Sequence, residues 1–100
     1  MIKHIVMFKL KESADGSDRA ENIQRLKETL EALPEKIGEI RSFEVGVNFS
    51  ETSTAYDLVL SSIFECKEDL YSYQRHPEHM KVVDLVGRIC ENRVVADYEV

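Results

Sequence analysis

Along the first ten residues Ile2, His4, Val6, Phe8 and Leu10 alternate with Lys3, Ile5, Met7 and Lys9. A period of two predicts a strand over Met1–Leu10, apolar on both faces at its centre. Lys11 to Gly16 is polar and reads as a connection. Asp18 with Glu21 three positions on resembles a capping box, with Ser17 as the competing cap, and it opens a helix. Ile23, Leu26, Leu30, Leu33 and Ile37 then recur every three or four residues, one apolar stripe on a charged helix that Pro34 ends or kinks.

Beyond Gly38 the pattern returns to two. Ile40 to Phe49 predicts a strand with Phe43, Val45, Val47 and Phe49 on one face and Ser42, Glu44, Gly46 and Asn48 on the other. Ser50 to Thr54 is a hairpin-like loop. Tyr56, Leu58, Leu60, Ser62 and Phe64 alternate with Asp57, Val59, Ser61, Ile63 and Glu65 in a third strand. A short helix follows from Lys67 to about Gln74. Pro77 then suits the first turn of another, with Met80, Val83, Val86 or Gly87, and Ile89 or Cys90 as its inner face. Asn92 to Val100 closes the chain as a strand, with Val94, Ala96 and Tyr98 on one side and Arg93, Val95 and Asp97 on the other.

The order β-α-β-β-α-β is the split βαβ of ferredoxin-like α+β folds: a four-stranded antiparallel sheet with helices on one face. Its second face is mixed, carrying His4 or its neighbours together with Glu44, Asn48 and Ser61. A second copy of the chain can cover such a face. Two sheets packed that way enclose a partly polar, barrel-like interior able to hold a small ligand.

Composition narrows the function. One hundred residues, 43% hydrophobic and 32% charged, make a single globular domain over residues 1–100. A net charge of −6 without a Lys/Arg cluster argues against nucleic acid as partner. No segment approaches the ~20 apolar residues of a membrane span, and the apolar start is too short for a signal peptide. The expected location is the cytoplasm. Cys66 and Cys90 stand far apart without a CxxC or a nearby histidine, so they read as buried or half-buried thiols.

The chemistry concentrates in Tyr71 to His79, Y-S-Y-Q-R-H-P-E-H. Two histidines three residues apart can form a proton relay, hold a metal or start a helix. His76, directly before a proline, suits a helix cap. A proline-containing HxxH lacks the i, i+4 spacing that sets two ligands on one helical face, so no metal site is assigned. His79 with Tyr73 can act as a general base with an orienting phenol, or can simply pack on the sheet. His4, among large apolar neighbours, is either a satisfied core residue or a ligand-lining one. Glu44, Asn48 and Asp97 read as solvent-exposed or interfacial, and a desolvated carboxylate among them would need a cation such as Arg93.

Taken together, I-K-H-I-V-M-F-K-L-K, I-R-S-F-E-V-G-V-N, D-L-V-L-S-S-I-F-E, Y-Q-R-H-P-E-H and R-V-V-A-D-Y-E resemble the stress-responsive A/B barrel domain (Dabb) family over nearly the whole chain. The resemblance implies a homodimeric α+β barrel, a stress-related or small-ligand-binding module that needs no cofactor. One plant member is a cofactor-free polyketide cyclase. Its proton-handling histidine matches His79, the supporting tyrosine matches Tyr73, and its first-strand histidine matches His4. A further pocket histidine of that enzyme is replaced here by Leu58, and its substrate is not carried over. Two functions follow as expectations: a binding module of unknown ligand, or a cyclase or lyase for a small carbonyl or polyketide-like compound with His79 as base.

Overall fold

A computed structural model describes residues 1–100. Strand β1 (Ile2–Leu10) buries Ile2, His4, Val6, Phe8 and Leu10, the alternation expected of a half-covered sheet. The polar connection after it is a small hairpin, β2 (Ser13–Ala14) and β3 (Ser17–Asp18). Asp15 and Gly16 turn it with φ of 53° and 76°, the left-handed pair that an Asp-Gly hairpin turn requires. Helix α1 (Arg19–Glu31) starts on the complete Asp18/Glu21 capping box, so Asp18 and not Ser17 is the cap.

Inside α1, Asn22 is fully buried. Its Nδ2 donates to the carbonyls of Ala14 and Ser17 at 3.0 and 3.5 Å and ties the hairpin to the helix, while its Oδ1 has no partner. Asn22→Ala removes both of these ties and is expected to destabilise the fold by about 1–3 kcal/mol. A urea midpoint equal to the parent's would refute that role.

Pro34 ends the apolar stripe in a single 3-10 turn, Leu33–Glu35, and Leu33 and Ile37 remain buried beyond it. Strand β4 (Ser42–Val47) is shorter than the Ile40 to Phe49 run, and Phe49 lies outside it, 97% exposed. Asn48 turns the chain there: its Oδ1 accepts from the Ser50 amide and its Nδ2 donates to the Tyr56 carbonyl. Strand β5 (Leu58–Phe64) buries Leu58, Leu60, Ser62 and Phe64 in alternation. Helices α2 (Lys67–Arg75) and α3 (Pro77–Ile89) follow, then β6 (Cys90–Glu99).

All pairings are antiparallel, and the sheet order β4-β5-β1-β6 is the ferredoxin-like arrangement. The core lies between the sheet and the three helices. On α3 the buried positions are Val82, Leu85, Val86 and Ile89, whereas Met80 is exposed. Val86 and Ile89 are inside as the spacing expects and Val83 is half-buried, but Val82 and Leu85 join the inner face in place of Met80 because of where the sheet lies. No helix is long and apolar enough to cross a membrane. Cys66 and Cys90 are unpaired and half-buried, and burial raises the Cys90 thiol to about 11.

Register settles the two faces. His4 stands beside Ser62 and Asp97, Val6 beside Leu60 and Val95, and Phe8 beside Leu58 and Arg93, all towards the helices. Lys3, Ile5, Met7, Glu44, Val59, Ser61, Ile63, Val94, Ala96 and Tyr98 share the open face. His4 is therefore not on the open face, where only its neighbours stand.

Candidate functional site

The sequence Arg75-His76-Pro77 builds the site. A residue before proline is driven to extended backbone, and His76 has ψ of 137°, so α2 stops there and α3 starts in a new direction. Proline takes the first helical position, where its missing N–H costs nothing. His76 caps α3, its Nδ1 accepting from the Glu78 amide at 3.1 Å, as its place before the proline predicts. His79 sits one turn in and reaches back to the end of α2. Its Nδ1 lies 3.0 Å from the Gln74 carbonyl, one of the acceptors that every helix end leaves without an intrahelical partner.

A carbonyl oxygen can only accept, so Nδ1 carries the proton and Nε2 of His79 is the free acceptor. Nε2 makes no hydrogen bond within the chain. Burial holds the imidazole below its usual range. The Gln74 hydrogen bond opposes this, and the electrostatic influence of His4, Arg93 and His76 reinforces it. At neutral pH His79 is an uncharged base of fixed tautomer.

Tyr73 is 1% exposed and stands at the centre of an aromatic cluster. Its ring lies 4.5 Å from the imidazole of His79, 4.9 Å from Phe64, 6.1 Å from Phe43 and 6.2 Å from His4, measured between centroids. Desolvation raises its phenol well above the ordinary value, so the hydroxyl stays protonated. That hydroxyl does not bond His79. The tyrosine supports the histidine through ring contact, and the tautomer expected from a phenol is set instead by the Gln74 carbonyl.

His4 is 4% exposed and its Nδ1 is bonded to the Asp97 carboxylate on the neighbouring strand. Asp97 thus stands on the helix side of the sheet rather than on the face a second subunit would cover, and its partner is His4, not Arg93. With Nδ1 committed to the carboxylate, the second ring nitrogen of His4 is the one left over.

His4, Tyr73 and His79 all line one cavity of about 180 Å³ between the sheet, α1 and α3, with Val6, Phe8, Leu30, Leu60, Val82, Val83, Val86 and Val95 as apolar wall. The three residues singled out in the sequence therefore meet, although positions 4 and 79 are on different elements. The cavity lies on the helix side of the sheet, not in the interior between two sheets where a barrel pocket was expected, because β1 turns His4 inward. Leu58 belongs to the core and not to the lining. Gln74 and Arg93 also line the cavity. Sequence reading gave Gln74 no role, and Arg93 only that of a counter-ion. The one signal for Arg93 was its alternation with Val95 and Asp97 on one side of the last strand.

The family model described as the stress responsive A/B barrel domain, Dabb, matches residues 2–100. A stress-response A/B barrel domain-containing protein of Arabidopsis thaliana is 34% identical over 99 residues, covering 98% of this chain and 36% of its own, so the chain spans about a third of that relative's length. A dimeric protein of unknown function and ferredoxin-like fold from Bacteroides fragilis superposes with a TM-score of 0.82 at 36% identity, covering 99% of this chain and 95% of its own. The hydroxynitrile lyase from Passiflora edulis superposes with a TM-score of 0.82, covering 99% and 92%; at 16% identity it shares the fold alone.

Proposed function

Because the chain belongs to the stress-responsive A/B barrel domain family, we propose that it is a cytoplasmic homodimer whose subunits each bind a small molecule in the cavity at His79. The carrying observation is the neutral, unpartnered Nε2 of His79 in a mostly apolar cavity. A cavity of about 180 Å³ compares with an engineered protein cavity of roughly 150 Å³ that takes up benzene. The expected ligand is of that size, with one group able to donate a proton to Nε2. The unpaired thiols fit a reducing compartment.

Support for the dimer comes from the open sheet face, where Met7, Val94 and Tyr98 are exposed large apolar residues, and from the dimeric Bacteroides fragilis relative. Ile5→Glu puts a charge at the middle of that face without touching the core. The expected result by light scattering is a fall from twice the chain mass to the 11.5 kDa of one chain, with unchanged circular dichroism. A wild-type protein that is monomeric at micromolar concentration would refute the assembly. Ligand binding is tested separately by titrating benzene-sized aromatics and following the His79 ring resonances by NMR. Resonances that never move would refute the pocket.

A second reading is favoured by the protonation state of His79: a cofactor-independent lyase or cyclase. Nε2 takes a proton from an acidic hydroxyl or carbon of the substrate, a carbon–carbon bond is made or broken, and the imidazolium returns the proton to the product. The cavity suits a small carbonyl compound better than a polyketide with a long tail. The Passiflora edulis lyase illustrates such a reaction class on a similar fold and gives no residue-level support.

A further inference from the structure

Arg93 stands at the rim of the cavity on β6, an edge strand of the sheet. Arg25, Arg41 and Arg88 each hold a carboxylate, and the Arg93 guanidinium holds none. No aspartate or glutamate lines the cavity, although the chain carries a net charge of −6. Asp97, further along β6, is taken by His4, and Arg93 forms no ion pair with any carboxylate of the chain. Arg93 is therefore an always-charged donor on the lining of a mostly apolar cavity, with no carboxylate to meet it.

The other polar groups of the cavity carry no free positive charge: the Tyr73 hydroxyl and the Gln74 amide are neutral, weaker donors. Nε2 of His79 is an acceptor and repels a carboxylate oxygen, and His4 is engaged with Asp97. An anion entering the cavity has one strong partner, and a guanidinium matches a carboxylate with two parallel N–H donors.

We infer that the cavity selects a small monocarboxylate: its apolar body lies among Val6, Phe8, Leu60 and Val86, and its carboxylate lies against Arg93 at the rim. This rests on the pocket reading above and names the ligand's chemical class and the residue that sets it.

Benzoate and its neutral isostere benzamide separate the two levels. Calorimetric titration at neutral pH and low salt is expected to show benzoate binding about tenfold more tightly, the effect of one charge-assisted pair. Arg93→Gln should bring the two affinities together by weakening benzoate alone, and Arg93→Lys should keep part of the preference. Equal binding of both probes by the wild type overturns the role of Arg93 and leaves the pocket standing. A benzoate preference that survives in Arg93→Gln overturns it as well. Binding of neither probe overturns both readings. The variants lie on an exposed strand, and an unchanged melting temperature confirms that they are folded.

Discussion

Tyr73→Ala is expected to remove about 3–5 kcal/mol of stability, the usual cost of deleting a fully buried aromatic ring. Four rings pack around this one side chain, from β1, β4, β5 and α3, so its loss opens a cavity that no single neighbour can fill. Small domains have only about 5–15 kcal/mol in total. For a chain of this size each kcal/mol moves the melting temperature by about 4–8 °C, so a fall of more than about 12 °C is expected. Tyr73→Phe removes only a hydroxyl that makes no hydrogen bond within the chain and should change stability by less than about 0.5 kcal/mol. Thermal melts of the two variants decide the matter. A Tyr73→Ala protein that melts like the parent would show that the cluster is not the keystone of the helix-covered face.

The second large effect belongs to His79. Burial lowers its folded-state pKa, so in the folded chain the ring takes up its proton at a lower pH than in the unfolded chain, where it titrates near 6.5. Between those two values the unfolded chain binds more protons. The contribution of His79 to stability is therefore complete above about pH 6.5 and is lost as pH falls through the folded-state value. His79→Gln abolishes this component, and the curve of unfolding free energy against pH should be flatter below about 6.5 than the parent's. His4, His76 and Arg93, which also act on the ring electrostatically, are present in both proteins, so the difference isolates His79. Under the lyase or cyclase reading, turnover through Nε2 should drop by about 10²–10⁴-fold in the same variant. Parallel pH curves would place His79 in solvent in the folded chain and end both claims about its state.

Much of the fold was legible because the signals are local. Alternation in β1 and β5, the Asp18/Glu21 box and the His76-Pro77 break each involve residues within a turn or two of one another, and each lies where the pattern put it. Departures arose where two local readings tied. Helix α3 buries Val86 and Ile89 as its spacing expects, and only contact with the sheet decides that Val82 and Leu85, and not Met80, join them. Phe49 continues an alternation that ends earlier because Asn48 turns the chain. The Asp15-Gly16 pair carried a hairpin signal that a polar, six-residue connection obscured.

The candidate site divides in the same way. His79, Tyr73 and His4 stood out by residue type and by family resemblance, and they do converge on one cavity. Their relations did not follow from the sequence: ring contact in place of a phenol hydrogen bond, a Gln74 carbonyl setting the tautomer, Asp97 on His4, and an unpaired Arg93 at the rim. Periodicity reports which side of an element is apolar, and this is enough to order strands and helices into a ferredoxin-like domain. It carries no information about which polar side chains from distant elements end up together. The His4–Asp97 bond joins residues 93 positions apart, and only the pairing of the first strand with the last brings them within reach. Sequence thus determined the elements, the order in which they pack and the identity of the three pocket residues. Tertiary structure decided the face on which the cavity lies, the protonation state of His79 and the one guanidinium of the lining left without a carboxylate, because each depends on burial and contact between segments that are remote along the chain.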